Sequence, residues 1–373
     1  MISVNVPTIE NDDIQALISA VSEGWISSSG PYVQEFEEKW AQYCGRRYGV
    51  AVSNGTNALE LAVAALDLPM GAEVIVPSFT IISCAVAIVR AGLKPVFVDC
   101  LPDTWTINPA LIEEKISENT RAIMPVHIYG HPCDMQAIEG IAKNHGLAII
   151  EDAAQAHGAS IQNQKCGSFG DVSCFSFFAN KIITTGEGGM VLTDSELLYK
   201  RLCHLRNLAF DPERRYIHDA IGFNFRLTSM QAALGISQIG KIERLLERKK
   251  DIASRYTEAF SQYKHIRLPV CQPGYQNVYW MYGMVLELES HLTADLVMDA
   301  LHARGVETRH FFTGLHKQPI LEKLGFASNV ECPVTDYLAG HGLYLPSGLG
   351  MTSDDQTYVI KQVLEVFDEF KIQ

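Results

Sequence analysis

FSFFANKIITTGEGGM, residues 175–190, carries a lysine where an apolar strand gives out. The β-branched and aromatic run 172–178 reads as a buried strand, and Lys181 follows its end. Residues 184–189 then turn the chain back into a second short strand, 190–193. Burial disfavours an ammonium group, lowers its pKa and makes the amine a nucleophile toward carbonyls. Pyridoxal phosphate chemistry requires such an amine. A surface lysine in a glycine-rich hairpin would read the same way, so the rest of the chain decides.

Upstream, short apolar runs alternate with helical patterns. Strands are expected at 48–52, 73–77, 95–98, 122–126 and 147–150, with helices at 57–66, 81–91, near 109–116 and at 135–145. This alternation indicates an α/β fold with a mostly parallel sheet covered on both faces. Two helices precede it. Residues 8–24 form an amphipathic helix with Ile14, Leu17, Ile18 and Val21 on one face, and 33–43 form a second. The pattern changes near residue 228, where Thr228-Ser229-Met230-Gln231 has the form of a capping box. One long helix is expected beyond it, spaced by Leu234, Ile239, Ile242, Leu246, Ile252, Tyr256 and Phe260, as the connector to a smaller domain. That domain holds a strand at 279–286, a helix at 294–304 and a final helix capped by Ser353-Asp354-Asp355-Gln356, with Val359, Val363, Val366, Phe367 and Phe370 as its stripe. The expected division is 1–240 for the large domain and 241–373 for the small one.

Several strand ends carry chemistry. Ser53-Asn54-Gly55-Thr56-Asn57 joins a strand to a helix, whose free N–H groups and dipole suit a phosphate. An ordinary N-cap uses the same residue types. Asp152 ends another strand in EDAAQAHG, 151–158, where it can face a pyridinium nitrogen while Gln155 meets a ring hydroxyl. Ala153, Ala154 and Ala156 leave room for a flat group. HIYGHPC, 127–133, reads as a turn beside the site; it lacks the helical spacing of a zinc motif, and no metal is expected. TTGEGG is not a phosphate loop of the Lys-Ser/Thr type, and no GxGxxG follows a strand.

The chain has 373 residues, 47% apolar and 20% charged, with a formal net charge of −13. Nucleic acid and anionic membranes recruit clustered positive charge, so neither is an expected partner. No apolar run is long enough to span a bilayer, and residues 1–13 lack the features of a signal peptide. Nine scattered cysteines without a CxxC pair suit reduced thiols and a cytoplasmic location.

SNGTNAL, PSFT, EDAAQAHG, FSFFANKIITTGEGGM and GFNFRLTSMQAALG, in this order and spacing, resemble the DegT/DnrJ/EryC1/StrS group of nucleotide-sugar aminotransferases. The resemblance spans essentially the whole chain. It implies the aspartate-aminotransferase-like fold type I of pyridoxal phosphate enzymes, with a mostly parallel seven-stranded sheet in the large domain and a smaller C-terminal α+β domain. It makes Lys181 the Schiff-base lysine and proton carrier, sets Asp152 against the pyridine nitrogen and Gln155 against the ring hydroxyl, and gives Gly55, Thr56, Asn57 and Ser176 to the phosphate end. Asn224 and Arg226 would reach the active site of a second subunit, which implies a homodimer. His157, Arg309 and His316 are candidates for the substrate, a nucleotide-linked keto sugar, with L-glutamate as amino donor. HIYGHPCDM, the YWMY segment and ETRHFF…LH are most similar to the members that aminate C4 of GDP-4-keto-6-deoxymannose; dTDP- and UDP-linked sugars are the alternatives. A non-catalytic sensor of the same fold is a further one, and a dehydratase, which would carry histidine at position 181, is disfavoured by Lys181. Two departures stand out. Ile81 occupies a position where many relatives stack an aromatic ring on the cofactor, and Thr313-Gly314 replaces a bulkier pair in the substrate loop.

Overall fold

The computed structural model describes residues 1–211, 213–214, 216–287 and 293–372. From the N-terminus the chain forms α1 (Asn11–Ser22), α2 (Pro31–Cys44), β1 (Tyr48–Val52), α3 (Gly55–Leu66), β2 (Glu73–Pro77), α4 (Ser83–Arg90), β3 (Lys94–Val98), β4 (Thr120–Ile123), α5 (Met135–His145) and β5 (Ala148–Asp152). A hairpin of β6 (Ser160–Ile161) and β7 (Gln164–Lys165) precedes β8 (Val172–Ser176), β9 (Gly189–Thr193) and α6 (Glu196–Arg206). The remainder holds α7 (Ser229–Ile239), α8 (Ile242–Phe260), β10 (Ile266–Arg267), β11 (Tyr275–Gln276), β12 (Tyr282–Leu286), α9 (Ala294–Ala303), β13 (Arg309–His310), α10 (Pro319–Lys323), α11 (Pro333–His341), β14 (Gly342–Leu345) and α12 (Ser353–Glu369).

Seven strands form the main sheet in the order β1-β9-β8-β5-β4-β2-β3. Five of them, β8-β5-β4-β2-β3, pair in parallel, and β9 pairs antiparallel with both β8 and β1, because the Gly-rich turn after Lys181 returns it directly alongside β8. All five residues of β8 are buried, as expected for a strand covered on both faces. A second, antiparallel sheet, β10-β12-β14-β13, lies wholly in the C-terminal part. Val359, Val363, Val366 and Phe367 of α12 pack there with Ile252, Tyr256 and Phe260 of α8. The first residues of the chain lie against the same part: Ile2 bridges to Val306, and the Val4 N–H donates to Glu307.

The structure departs from the sequence expectations at several elements. The single long helix after Thr228 is two helices. Thr228 and Gln231 do form the capping box of α7, but α7 ends at Ile239, and Lys241 leaves helical geometry before α8 begins. Glycine at 240 favours a helix end, and the Lys241 ammonium is drawn to Glu10, Asp12 and Asp13. Residues 109–116 form two short 3₁₀ turns rather than an α-helix, started by Asn108 and Pro109. The last helix is capped by Thr352 with Asp355, one residue before the expected position. The strand expected at 279–286 begins only at Tyr282, because Tyr279 has a left-handed backbone that no strand accommodates. Finally, α1 turns its polar side inward. Asp13 is fully buried, accepting from Ser237 Oγ at 2.7 Å and Gln238 Nε2 at 2.8 Å, while Ile14, Ile18 and Val21 stay exposed.

Candidate active site

The parallel strands end on one side of the sheet, where ligands of such folds collect. Asp152 closes β5 and pairs in register with Cys174 of β8; Ser176 closes β8, and Lys181 lies five residues on. The turn from β1 into α3 meets Ser176. A Cβ on Gly55 would fall 2.6 Å from Ser176 Cβ, so only glycine lets this turn approach. Asn54 Oδ1 accepts the Asn57 N–H at 2.8 Å, and Asn57 Nδ2 donates to Ser53 Oγ at 2.7 Å. Asn57 therefore serves the cap. The N–H groups of Gly55 and Thr56 have no intrahelical acceptor and face the helix end, as a phosphate cradle requires. Thr56 Oγ1 reaches Ser83 Oγ at 2.9 Å, tying α3 to the start of α4.

Asp152 is almost fully buried. Its Oδ1 accepts the Ala154 N–H at 3.0 Å and its Oδ2 the Cys84 thiol at 3.2 Å. Desolvation nevertheless raises its pKa, against those two hydrogen bonds and the charge of Lys181. A buried carboxylate in this state fits a positively charged ring nitrogen, which would supply the missing partner. Gln155 is also buried, with Oε1 accepting the Tyr129 N–H at 2.6 Å. Ile81 is 44% exposed, just before α4, and so has an apolar face free to cover a ring.

Lys181 keeps part of its surface open, but its amine is surrounded. Nζ sits 3.7 Å from the centre of the Trp280 ring. Burial brings its pKa down from 10.5 to about 7, opposed by the Asp152 charge. The amine is thus poised to be neutral or charged near neutral pH. Together, the cradle at Gly55, the carboxylate of Asp152 and the amine of Lys181 fit pyridoxal phosphate.

The remaining candidates are placed differently. His157 is fully buried among Trp40, Phe175 and Phe177, with both ring nitrogens unpartnered and its pKa pushed down to about 3 by burial. In that aromatic nest it has no atom open to a ligand. His316 is buried too. Its Nδ1 lies 2.6 Å from Ser78 Oγ, and its Nε2 lies 3.1 Å from Asp336 Oδ1 but outside hydrogen-bonding geometry. It ties the loop after β13 to the end of β2. Arg309 is exposed on β13 and pairs with Glu307 at 3.2 Å. Asn224 is exposed, and Arg226 donates to Asn207 Oδ1 at 2.6 Å. Their segment also lies beside the chain's own cradle, since Phe225 O accepts the Ser53 N–H. Arg226 lines a cleft of about 760 Å³ with Ser28, Ser29, Arg206 and Asn207. That cleft shares no lining residue with the small cavity at Lys181.

Sequence reasoning missed four neighbours. Cys84 holds Asp152, Tyr129 holds Gln155, Trp280 holds the Lys181 amine, and Lys249 of α8 holds Trp280. Only Lys249 left a signal, as a cation on the apolar face of α8 between Leu246 and Ile252. In the HIYGHPC turn, His127 Nε2 meets Glu151 Oε1 at 2.9 Å, while both Glu151 oxygens also accept backbone N–H groups from Gly167 and Phe169. The Cys133 N–H donates to His127 Nδ1, so this ring and carboxylate brace the strand ends.

The model of the DegT/DnrJ/EryC1/StrS aminotransferase family matches residues 7–364. A GDP-perosamine synthase of Caulobacter vibrioides is 38% identical over 366 residues, 98% of each chain. One of Vibrio cholerae is 35% identical over 370 residues, 99% of this chain and all of that one. The crystal structure of an aminotransferase, TlmJ, from Streptoalloteichus hindustanus superposes with a TM-score of 0.93 at 28% identity, covering both chains entirely. The architecture is thus that of fold type I pyridoxal phosphate enzymes.

Proposed function

The chain belongs to the DegT/DnrJ/EryC1/StrS aminotransferase family, and from that premise we propose that it transfers the amino group of L-glutamate to C4 of GDP-4-keto-6-deoxy-D-mannose, as a GDP-perosamine synthase. It is an aminotransferase whose cofactor is pyridoxal phosphate. The observation that carries the reaction is the buried amine of Lys181 beside Asp152. The choice of sugar rests on the relatives named GDP-perosamine synthase over nearly the whole chain.

Pyridoxal phosphate, when bound, supplies an aldehyde that can exchange for an amino group and a ring that draws electrons from the reacting carbon. Asp152 would keep a negative charge against the ring nitrogen, Gln155 would meet the ring hydroxyl, and Ser176 with the N–H groups of Gly55 and Thr56 would hold the phosphate. Lys181 Nζ takes the proton from the α-carbon of glutamate and later delivers one to C4 of the sugar. A pKa of about 7 suits both directions, since the acid and base forms are then both populated. Arg309, on the exposed edge of the small sheet, is a candidate for the sugar nucleotide. His316 contributes by fixing its loop against Ser78.

The outward stripe of Ile14, Ile18 and Val21 supports a homodimer, as does the exposure of Asn224. The proposed domain boundary, residue 240, falls at the break between α7 and α8. Among the described residues no helix is long and apolar enough to cross a membrane; the cytoplasm is the proposed location.

The second reading is a dTDP- or UDP-linked keto sugar, since Thr313-Gly314 departs from the bulkier pair of the resemblance and Gly314 is packed so that a Cβ would lie 2.7 Å from His316 Nδ1 and from Thr335. The deciding experiment converts the enzyme to its pyridoxamine form with glutamate, removes the excess, and adds GDP-, dTDP- and UDP-linked 4-keto-6-deoxy sugars in turn. Return of the original colour with the GDP-linked sugar alone is expected. Return only with another sugar moves the substrate, and no bleaching by glutamate overturns the reaction.

A further inference from the structure

Trp280 is held more firmly than an ordinary core tryptophan. Its indole Nε1 donates to Asn180 O at 2.8 Å, the carbonyl of the residue next to Lys181. Its own carbonyl accepts Lys249 Nζ at 2.9 Å, and the same ammonium reaches Ser347 O at 2.6 Å. Tyr279, just before it, has a left-handed backbone at φ 47°, a conformation costly for a bulky residue and kept only where the surroundings enforce it. The HIYGHPC turn presses on the same segment. At Gly130, φ 101°, a Cβ would lie 2.9 Å from Trp280 N and 2.8 Å from Val278, and Gly130 O accepts the Val278 N–H. Tyr129 lies nearly parallel to the indole, 27° apart. Three separate devices thus converge on the placement of one ring, and the face of that ring lies 3.7 Å from Lys181 Nζ.

We propose that the Trp280 indole face is the resting place of the free Lys181 amine, and that Lys249 is a positioning residue that holds the indole there. The inference rests on Lys181 being the reacting amine and is independent of which sugar is used. An aromatic face attracts an ammonium through its quadrupole, most strongly away from water. The lysine must leave the cofactor and return in every catalytic cycle, and the ring gives it a defined place while it waits. Three other titratable groups surround the amine. Asp152 on β5 favours its charged form, His157 is neutral at physiological pH, and Lys249 on α8 lines the same small cavity. Burial opposes the charge, and the ring and Asp152 support it.

The test follows Lys181 itself. Wild-type enzyme loaded with pyridoxamine phosphate, in which the lysine is free, is treated with an amine-acylating reagent from pH 5.5 to 9, and Lys181 acylation is read by mass spectrometry. The plateau rate reports access, and the midpoint reports proton affinity. In Trp280→Leu the midpoint should fall, so that at pH 6 the rate relative to its plateau rises about three- to tenfold. Trp280→Phe should give a smaller shift in the same direction and guards against a leucine variant that fails to fold. Lys249→Met should shift the midpoint the same way through displacement of the indole. A midpoint that stays or rises in both Trp280 variants overturns the proposal, whatever happens to their stability. An unmoved midpoint in Lys249→Met overturns the role of Lys249. Failure of the wild type to exchange with glutamate would refute the reaction but leave this comparison readable.

Discussion

Burial acts alike on Lys181 and Lys249, yet their surroundings differ. Burial lowers the pKa of each from 10.5 to about 7. Lys249 is 2% exposed on the inner face of α8, and its ammonium ends on two backbone carbonyls. Those carbonyls favour the charged form and oppose the fall. Lys181 instead faces an aromatic ring and a carboxylate, neither of which saturates its N–H groups. A shifted pKa alone would have marked both as catalytic. What separates them is the set of groups around each amine: one is fully occupied with holding backbone, and the other remains free to react.

The largest effect should come from removing the reacting amine. Lys181→Ala should lower turnover by at least about 10⁴-fold with cofactor still bound, measured in steady state with glutamate and the preferred sugar; near-normal turnover would break the comparison outright. Asp152→Asn should cost roughly 10–100-fold, the worth of a hydrogen bond to a charged group. The same variant should lower the Lys181 acylation midpoint, because the carboxylate supports the ammonium, and leave the Lys249 midpoint where it was. An equal shift at both lysines would show that they share one electrostatic environment.

Lys249→Met tests the other side. For a lysine whose folded pKa lies below its unfolded value, the unfolded chain holds the extra proton between about pH 7 and 10.5. Wild-type stability therefore gains from this residue as pH rises through that window, and the full penalty is present below pH 7. Denaturation at pH 7 and pH 10 should show the wild type gaining about 2–4 kcal/mol more than Lys249→Met over the interval. Parallel behaviour of the two proteins would mean that the carbonyls cancel the burial penalty. The smallest effect is expected at Ile81→Phe. A stacked ring is worth about 0.5–1.5 kcal/mol, so cofactor affinity should rise up to about tenfold, read by titration of the apoenzyme.

The candidate site was legible as a set of positions at the ends of elements. Lys181, Asp152, Gln155, Gly55 and Ser176 all lie at or just beyond strand ends, and the parallel topology brings those ends together. Less visible were contacts made by side chains far apart in sequence. Nothing in the letters near 157 shows that a histidine beside the site is turned into a nest of Trp40, Phe175 and Phe177, since Trp40 comes from α2. The amphipathic pattern of α1 located a helix but not its orientation, because a buried Asp13 with partners on α7 outweighs an apolar stripe that a single chain leaves uncovered.

Alternation of short apolar runs and helices was enough to indicate a mostly parallel sheet, because it follows local backbone periodicity, while the chemistry at the strand ends was read from the order and spacing of five motifs that resemble one family. The break between α7 and α8, the neutral and inaccessible His157, and the bracing of Trp280 by Lys249 and Gly130 depend on groups far apart in the chain, as far as the 231 residues that separate Lys241 from Glu10. Close packing acts between residues that are neighbours only once the chain has folded, and for that reason it surrounds two equally shifted lysines with different groups.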